Sequence, residues 1–356
     1  MFEDFPVGPQ WRLTDAELAT IAADFGLRPI GAPPQPQVGA INGIARIAAA
    51  DGDWIVRIHR PWTTPARLEG VHQILALLRT AGYPIPSVHT TPSGRTWTTL
   101  HDRLVEVNAF VPSDATAEND EHGGMALELL ARLHADLATL PPDAIPPPRY
   151  STYATPTAML AGLAETERDF AALGDHTDYA DAAAAREAAR VLLVTLDTAR
   201  ARYIERLRRT YIHGDYGGGN VLFRAGTIVA LLDFDFLAHR ERVFDLARTL
   251  YWGAAPFGTA HPAEPTPAET AQLTALLRRY QGAAASPLTT DELRALPYEM
   301  ARIPLFFIAE AGYLPAVAPD HAPLRQTLAL RPQLGRATWL TEHATAFGER
   351  LVKLLD

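Results

Sequence analysis

Residues 211–250 read YIHGDYGGGNVLFRAGTIVALLDFDFLAHRERVFDLARTL, and the spacing of the acids in this stretch decides the fold. Val221 to Phe223 and Ile228 to Leu232 are β-branched or large and apolar, and Arg224-Ala225-Gly226-Thr227 between them reads as a hairpin turn. A hairpin brings its two ends together. The loop that finishes at Asn220 and the run Asp233-Phe234-Asp235 are therefore expected side by side. Asp215, Asn220, Asp233 and Asp235 then offer oxygen ligands only, which suits a hard cation such as Mg²⁺ that is shared with substrate phosphates. The sequence has no cysteine, and its histidines show no HExxH-like spacing, so zinc is not expected.

HGDYGGGN (213–220) fits the pattern HxDxxxxN, and LLDFDF followed by Asp245-Leu246-Ala247 fits an IDF…DLA segment. In both motifs the chain resembles the family of aminoglycoside phosphotransferases, choline kinases and homoserine kinases, protein-kinase-like enzymes that phosphorylate small molecules. The two motifs are the counterparts of the HRDxxxxN and DFG elements of protein kinases, with order and spacing kept and the arginine replaced. The resemblance implies an α+β, protein-kinase-like bilobal fold. Residues 1–111 are expected to form a small β-rich amino-terminal lobe and residues 112–356 a larger, mainly helical carboxyl-terminal lobe. It further implies ATP or GTP as donor, Mg²⁺ as metal, and the hydroxyl of a small molecule as acceptor: an amino alcohol, a homoserine-like compound, a sugar or an aminoglycoside-like compound. Asp215 is expected to accept or orient the hydroxyl proton, with His213 supporting the loop. Asn220 and Asp233 are expected to hold the metal, and Asp245 to brace the catalytic loop. Asp235 stands where protein kinases have glycine. It is left with three readings: second metal ligand, contact to a substrate amine, or turn cap.

Composition sets the outer bounds. With 356 residues, 47% of them hydrophobic and 21% charged, the chain is long and apolar enough for one large domain or two lobes. A net charge of −9 argues against a nucleic-acid partner, which asks for a basic face. The first residues, MFEDFPVGPQWRL, lack a basic and then apolar leader, and no apolar run approaches about 18 residues. A cytoplasmic enzyme without a membrane partner is the expectation.

Lys353 is the only lysine in the sequence. A Walker-type loop and Schiff-base chemistry in the body of the protein are thereby excluded. A kinase-like fold must also have replaced the lysine that holds nucleotide phosphates. In WIVRIHR (54–60), Arg57 falls where the family carries its third-strand basic residue, and a guanidinium can grip phosphate oxygens through two bonds. Its partner is less obvious. Glu69 is the only acid in the expected helix 66–80, but it lies two residues before the family's glutamate, about 200° around a helix. The segment between the proline-rich connector and the first expected strand, Gly39-Ala40-Ile41-Asn42-Gly43, is not GxGxxG; the resemblance makes Asn42 and Gly43 phosphate-covering residues, and a plain hairpin turn reads equally well.

Leu104 to Val111 is expected to be the last strand of the small lobe and to carry the hinge, with main-chain groups around Asn108 and Phe110 meeting the nucleotide base. Thr14 with Glu17 and Thr289 with Glu292 have capping-box spacing at the starts of two helices. Leu129, Leu130, Leu133 and Leu137 share a helical face in MALELLARLHADLATL (125–140), which resembles the family's long central helix, with His134 as a structural residue. RRYQGAAASPLTTDEL (278–293) is similar to the homoserine-kinase-type branch. The degenerate glycine turn, the missing lysine and the displaced glutamate leave an alternative: a kinase-like nucleotide-binding regulatory protein with weak or no transfer activity.

Overall fold

Thr14 accepts the Glu17 amide at 3.2 Å while the Glu17 carboxylate takes the Thr14 amide at 2.7 Å, so helix α1 (Asp15–Phe25) begins at the expected capping box. The computed structural model describes residues 13–30, 35–36, 42–117, 120–149, 151–253, 264–310 and 322–355. The turn residues 39–41 and most of the proline-rich stretch 254–267 lie outside the described residues.

Five antiparallel strands follow α1: β1 (Gln35–Pro36), β2 (Gly43–Ala49), β3 (Gly52–Ile58), β4 (Thr98–Leu100) and β5 (Arg103–Ala109), in the spatial order β1-β2-β3-β5-β4. The period of two turns Val56 and Ile58 inward, where with Ile47, Val105 and Val107 they bury Ile21 and Phe25 of α1. This small core is the sheet's own. Helix α2 (Pro65–Thr80), capped by Thr64 with proline in its first turn, turns Val71, Ile74 and Leu78 into the large core of the rest of the chain instead. Helix α2 therefore braces the strands against the larger body rather than closing the small core.

That body begins with β6 (Ala115–Thr116) and α3 (Asp120–Leu137), whose Leu129, Leu130, Leu133 and Leu137 are all buried. Helices α4 (Pro156–Glu165), α5 (Glu167–Ala171) and α6 (Tyr179–Arg200) lead to β7 (Arg209–Ile212), and the expected hairpin follows as β8 (Val221–Arg224) and β9 (Thr227–Leu231). β6 pairs with β8 to make a three-stranded sheet, while β10 (Ala238–Glu241) pairs antiparallel with β7. Helices α7 (Val243–Arg248), α8 (Pro267–Ala283), α9 (Thr290–Glu310), α10 (Ala322–Leu330) and α11 (Gln333–Leu355) complete the helical part. The second capping box also forms: Glu292 takes the Thr289 amide at 2.8 Å and is gripped by Arg242 through bonds of 2.7 and 2.8 Å. Among the described residues no helix is long and apolar enough to cross a membrane.

Candidate active site

The β8–β9 hairpin delivers Asn220 and Asp233 to one end, and the loop leaving β7 is fastened there by buried hydrogen bonds. Main-chain amides of His213 and Gly214 each donate to Asp245 on α7 at 2.8 Å. Asp245 is fully buried and is also met by His134 Nε2 at 3.2 Å, whose other nitrogen pairs with the Tyr280 hydroxyl at 2.8 Å. The imidazole of His213 donates from Nε2 to the Leu232 carbonyl at 2.8 Å and accepts the Asp215 amide on Nδ1 at 3.2 Å. This pattern assigns the neutral Nε2–H tautomer and leaves no nitrogen for proton transfer. Gly214 has φ +81°, and a Cβ there would meet Phe236 main chain at 2.8 Å, so the turn into Asp215 demands glycine.

Asp215 has one oxygen held and one directed at the loop. Oδ1 accepts Arg248 Nε at 2.7 Å, and Oδ2 is 3.2 Å from Asn220 Nδ2. Arg248 was not singled out from sequence, although its position one helical turn past Asp245 puts both on the face of α7 that meets this loop. The amide of Asn220 also donates to the Asp215 carbonyl at 2.8 Å. Its Oδ1 has no donor among the described residues. Asp233 sits at φ +61°, a left-handed conformation that costs a non-glycine residue about 1 kcal/mol and is held only by its surroundings. Its Oδ1 is buried with no hydrogen-bond partner.

Burial, with Asp235 and Asp215 nearby, pushes Asp233 above the ordinary aspartate range against the pull of Arg57. Such an oxygen calls for a cation, and the all-oxygen set of Asn220 Oδ1 and Asp233 fits a hard divalent ion. No group of three or more His, Cys, Asp or Glu among the described residues is arranged to hold a metal.

Arg57 faces this end from β3. Its Nη2 is 3.1 Å from Asp233 Oδ2, and its Nη1 is 3.1 Å from Asp235 Oδ1. Asp235 has its other oxygen 2.5 Å from Asn42 Nδ2, so it joins the turn before β2 to the strand-three arginine. Burial raises Asp235, but the charge of Arg57 overrides it and brings the carboxyl below its ordinary value. Both oxygens of Asp235 thus meet groups of the protein itself. Gly43 is already the first residue of β2, paired with Ile58. Arg67 on α2 adds a clamp from below, donating to the Asp235 carbonyl at 2.7 Å and the Leu237 carbonyl at 2.9 Å.

Glu69 does not pair with Arg57. It is exposed and takes the Trp97 indole N–H at 2.9 Å, because its helical phase turns it away from the sheet. The carboxylate beside Arg57 is Glu106, directly opposite it in the β3–β5 register and 3.9 Å away. Helix α2 contributes His72 instead, 2.5 Å from Glu106, and His59 approaches the same carboxylate at 3.5 Å. Burial alone would raise Glu106, but His59 and His72 hold it well below the usual range. Glu106→Gln is expected to destabilise the fold by about 2–3 kcal/mol, under the full figure for a broken buried pair because Arg57 keeps Asp233 and Asp235. A depressed carboxyl stabilises above its unfolded pKa of about 4.3 and loses that contribution as pH falls through the folded value. Urea unfolding of both proteins between neutral pH and pH ~5.5 should show a constant gap, which closes progressively in stronger acid.

Between the two layers lies a cavity of about 340 Å³, with Ile44 and Ile55 above, Leu222 and Leu231 below, and Arg57 with Asp233 at its end. Asn108 and Phe110 line it as expected, but their stretch offers fewer free amides than expected. The Ala109 amide is spent on the Ser87 carbonyl at 2.9 Å and the Phe110 amide on Asp53 at 3.0 Å. The free main-chain donor at the rim is Val111, whose amide has no main-chain partner among the described residues.

Comparison with known proteins points to one family. Residues 35–296 match the phosphotransferase enzyme family. No curated protein matches the chain by sequence. Among solved structures, spectinomycin phosphotransferase APH(9)-Ia with ADP and spectinomycin has a TM-score of 0.66 at 12% identity, over 93% of this chain and 99% of that one. Amicoumacin kinase hAmiN in complex with AMP-PNP, Ca²⁺ and Ami has 0.65 at 13% identity, over 91% and 94%. A microcompartment-associated aminopropanol kinase has 0.60 at 17% identity, over 95% and 100%. These likenesses show the fold, and the family match covers most of the sequence, including the whole of residues 211–250. The chain belongs to the phosphotransferase enzyme family and has its kinase-like α+β fold.

Proposed function

We propose that this protein transfers the γ-phosphoryl group of ATP, with Mg²⁺, to the hydroxyl of a small molecule. The observation that carries the reading is the convergence of Asp215, Asn220 and Asp233 at one end of a hairpin, where Arg57 meets Asp233 at the end of an apolar cavity. That cavity takes the base between Ile44 and Ile55 on one side and Leu222 and Leu231 on the other, with Val111 N–H at its edge. A divalent cation at Asn220 and Asp233 supplies neutralising charge on the nucleotide phosphates. Arg57 steadies the same oxygens from the opposite side. Asp215 Oδ2 accepts the acceptor's hydroxyl proton as the oxygen–phosphorus bond forms and the bond to the ADP oxygen breaks. Arg248 fixes the direction of that carboxylate by holding Oδ1, and His213 fixes the loop.

The acceptors named for the similar structures, spectinomycin, amicoumacin and aminopropanol, make amino alcohols, aminoglycosides and sugars the first compounds to test. At 100 times Kd, MgATP should stabilise the protein by about 2.7 kcal/mol, read as a thermal shift. Phosphate transfer over that panel then identifies the acceptor. A shift without transfer to any acceptor favours a nucleotide-binding regulatory protein, a reading helped by the engagement of Arg57 with Asp233 and Asp235. No shift overturns both.

A further inference from the structure

A second cavity, of about 630 Å³, lies between the β7–β10 ribbon, the start of α4 and the end of α6. Arg149, Arg200, Arg209 and Arg240 line it, against the carboxylates Glu205 and Glu241. Three of these arginines converge. Arg209 and Arg240 donate to one and the same carbonyl oxygen, that of His239, at 3.2 and 2.9 Å, which brings two guanidinium groups together. Arg200 Nη2 is 3.4 Å from Glu241 and Arg209 Nε is 3.6 Å from it, so a single carboxylate serves two cations. Glu241 is moreover already taken by the Tyr153 hydroxyl, and Arg200 donates to that hydroxyl at 2.6 Å.

The positive charge is left in excess. Arg200 Nε is buried with no hydrogen-bond partner, and four arginines line the cavity against two carboxylates. Burial, and after it the field of Arg209 and Arg240, holds the neighbouring His239 below its ordinary pKa. Guanidinium groups gathered on one carbonyl oxygen present forked donors of the kind that grip a phosphate through paired bonds. None of these residues lines the nucleotide cavity.

We propose that this cavity is an anion site for a phosphate group, carried as inorganic phosphate or as a small phosphate monoester, held by Arg209, Arg240 and Arg200. The space exceeds a bare phosphate, so the organic part of a monoester has room beside Tyr153. The site touches the catalytic loop, because Thr152 between Ser151 and Tyr153 donates its hydroxyl to the Gly214 carbonyl. The assignment goes beyond the proposed phosphotransfer and does not depend on it.

Titration calorimetry of the full chain with inorganic phosphate and with phenyl phosphate, at low ionic strength, tests it. The comparison is a variant carrying Arg209→Gln and Arg240→Gln together; the Arg209 side chain is 49% exposed and Arg240 reaches solvent, so folding should persist, as circular dichroism will verify. The variant should bind about tenfold to a hundredfold more weakly, the loss expected for charge-assisted hydrogen bonds. Tighter binding of phenyl phosphate than of phosphate assigns a monoester, and equal binding assigns the free anion. No heat from either probe with the unaltered protein overturns the proposal. So does binding unchanged in the double variant, which would put the phosphate elsewhere, such as at Arg57.

Discussion

Asp215→Asn is expected to lower turnover by about 10²–10⁴ while leaving nucleotide binding almost intact. The amide keeps the size of the carboxylate and still offers Arg248 an oxygen at the position where Nε now lies 2.7 Å from Oδ1. The atom facing the acceptor becomes an NH₂ group, which cannot take a proton from a hydroxyl. The change therefore removes acceptance of the proton and the 3.2 Å contact from Asn220 Nδ2, while Asn220 keeps its bond to the Asp215 carbonyl and His213 and Asp245 hold the main chain independently. Steady-state kcat and KM with whichever acceptor the panel yields should show the loss in kcat, with the MgATP thermal shift preserved. Full transfer activity in the variant would remove Asp215 from the mechanism.

The parts of this site that were legible in sequence are those fixed by local pattern. The alternation in Val221–Phe223 and Ile228–Leu232 and the turn between them place Asn220 beside Asp233 without any knowledge of the rest of the chain, and the structure has the hairpin there. The capping boxes at Thr14 and Thr289 are local in the same sense. What the sequence concealed are partners chosen by three-dimensional packing. Asn42 and Asp235 are 193 residues apart, and no periodicity links a loop before one strand to the acid after another. Glu106 carried a weak signal, an acid in the middle of the apolar run LVEV, which a buried strand tolerates only beside a cation. Glu69 misled because it was the only acid on the expected helix; the helix turned its position outward and supplied His72 in its place. Arg248 had a readable position but not a readable partner.

The same packing makes Arg57 the most consequential cation in the fold. Its side chain is 13% exposed and touches Asp233, Asp235 and Glu106. Burial works against its charge, but these three acids hold it firmly protonated. Arg57→Ala leaves Asp233 and Asp235 without their guanidinium and Glu106 with its histidines alone, and the expected loss is about 3–5 kcal/mol at neutral pH. Two further measurements separate this cause from simple loss of packing. Acidification should narrow the gap between variant and unaltered protein, because carboxylates that lose their cation take up protons at higher pH than before. A divalent cation should stabilise the variant more than the unaltered protein, because the Asp233 and Asp235 oxygens that faced the guanidinium are then open to it. Arg57→Lys should fall between the two, since a compact ammonium cannot reach Asp233 and Asp235 through separate nitrogens as the guanidinium does. If Arg57→Ala unfolds at the same urea concentration as the unaltered protein, or ignores added Mg²⁺ altogether, the charge network around Arg57 does not hold this end of the cleft together.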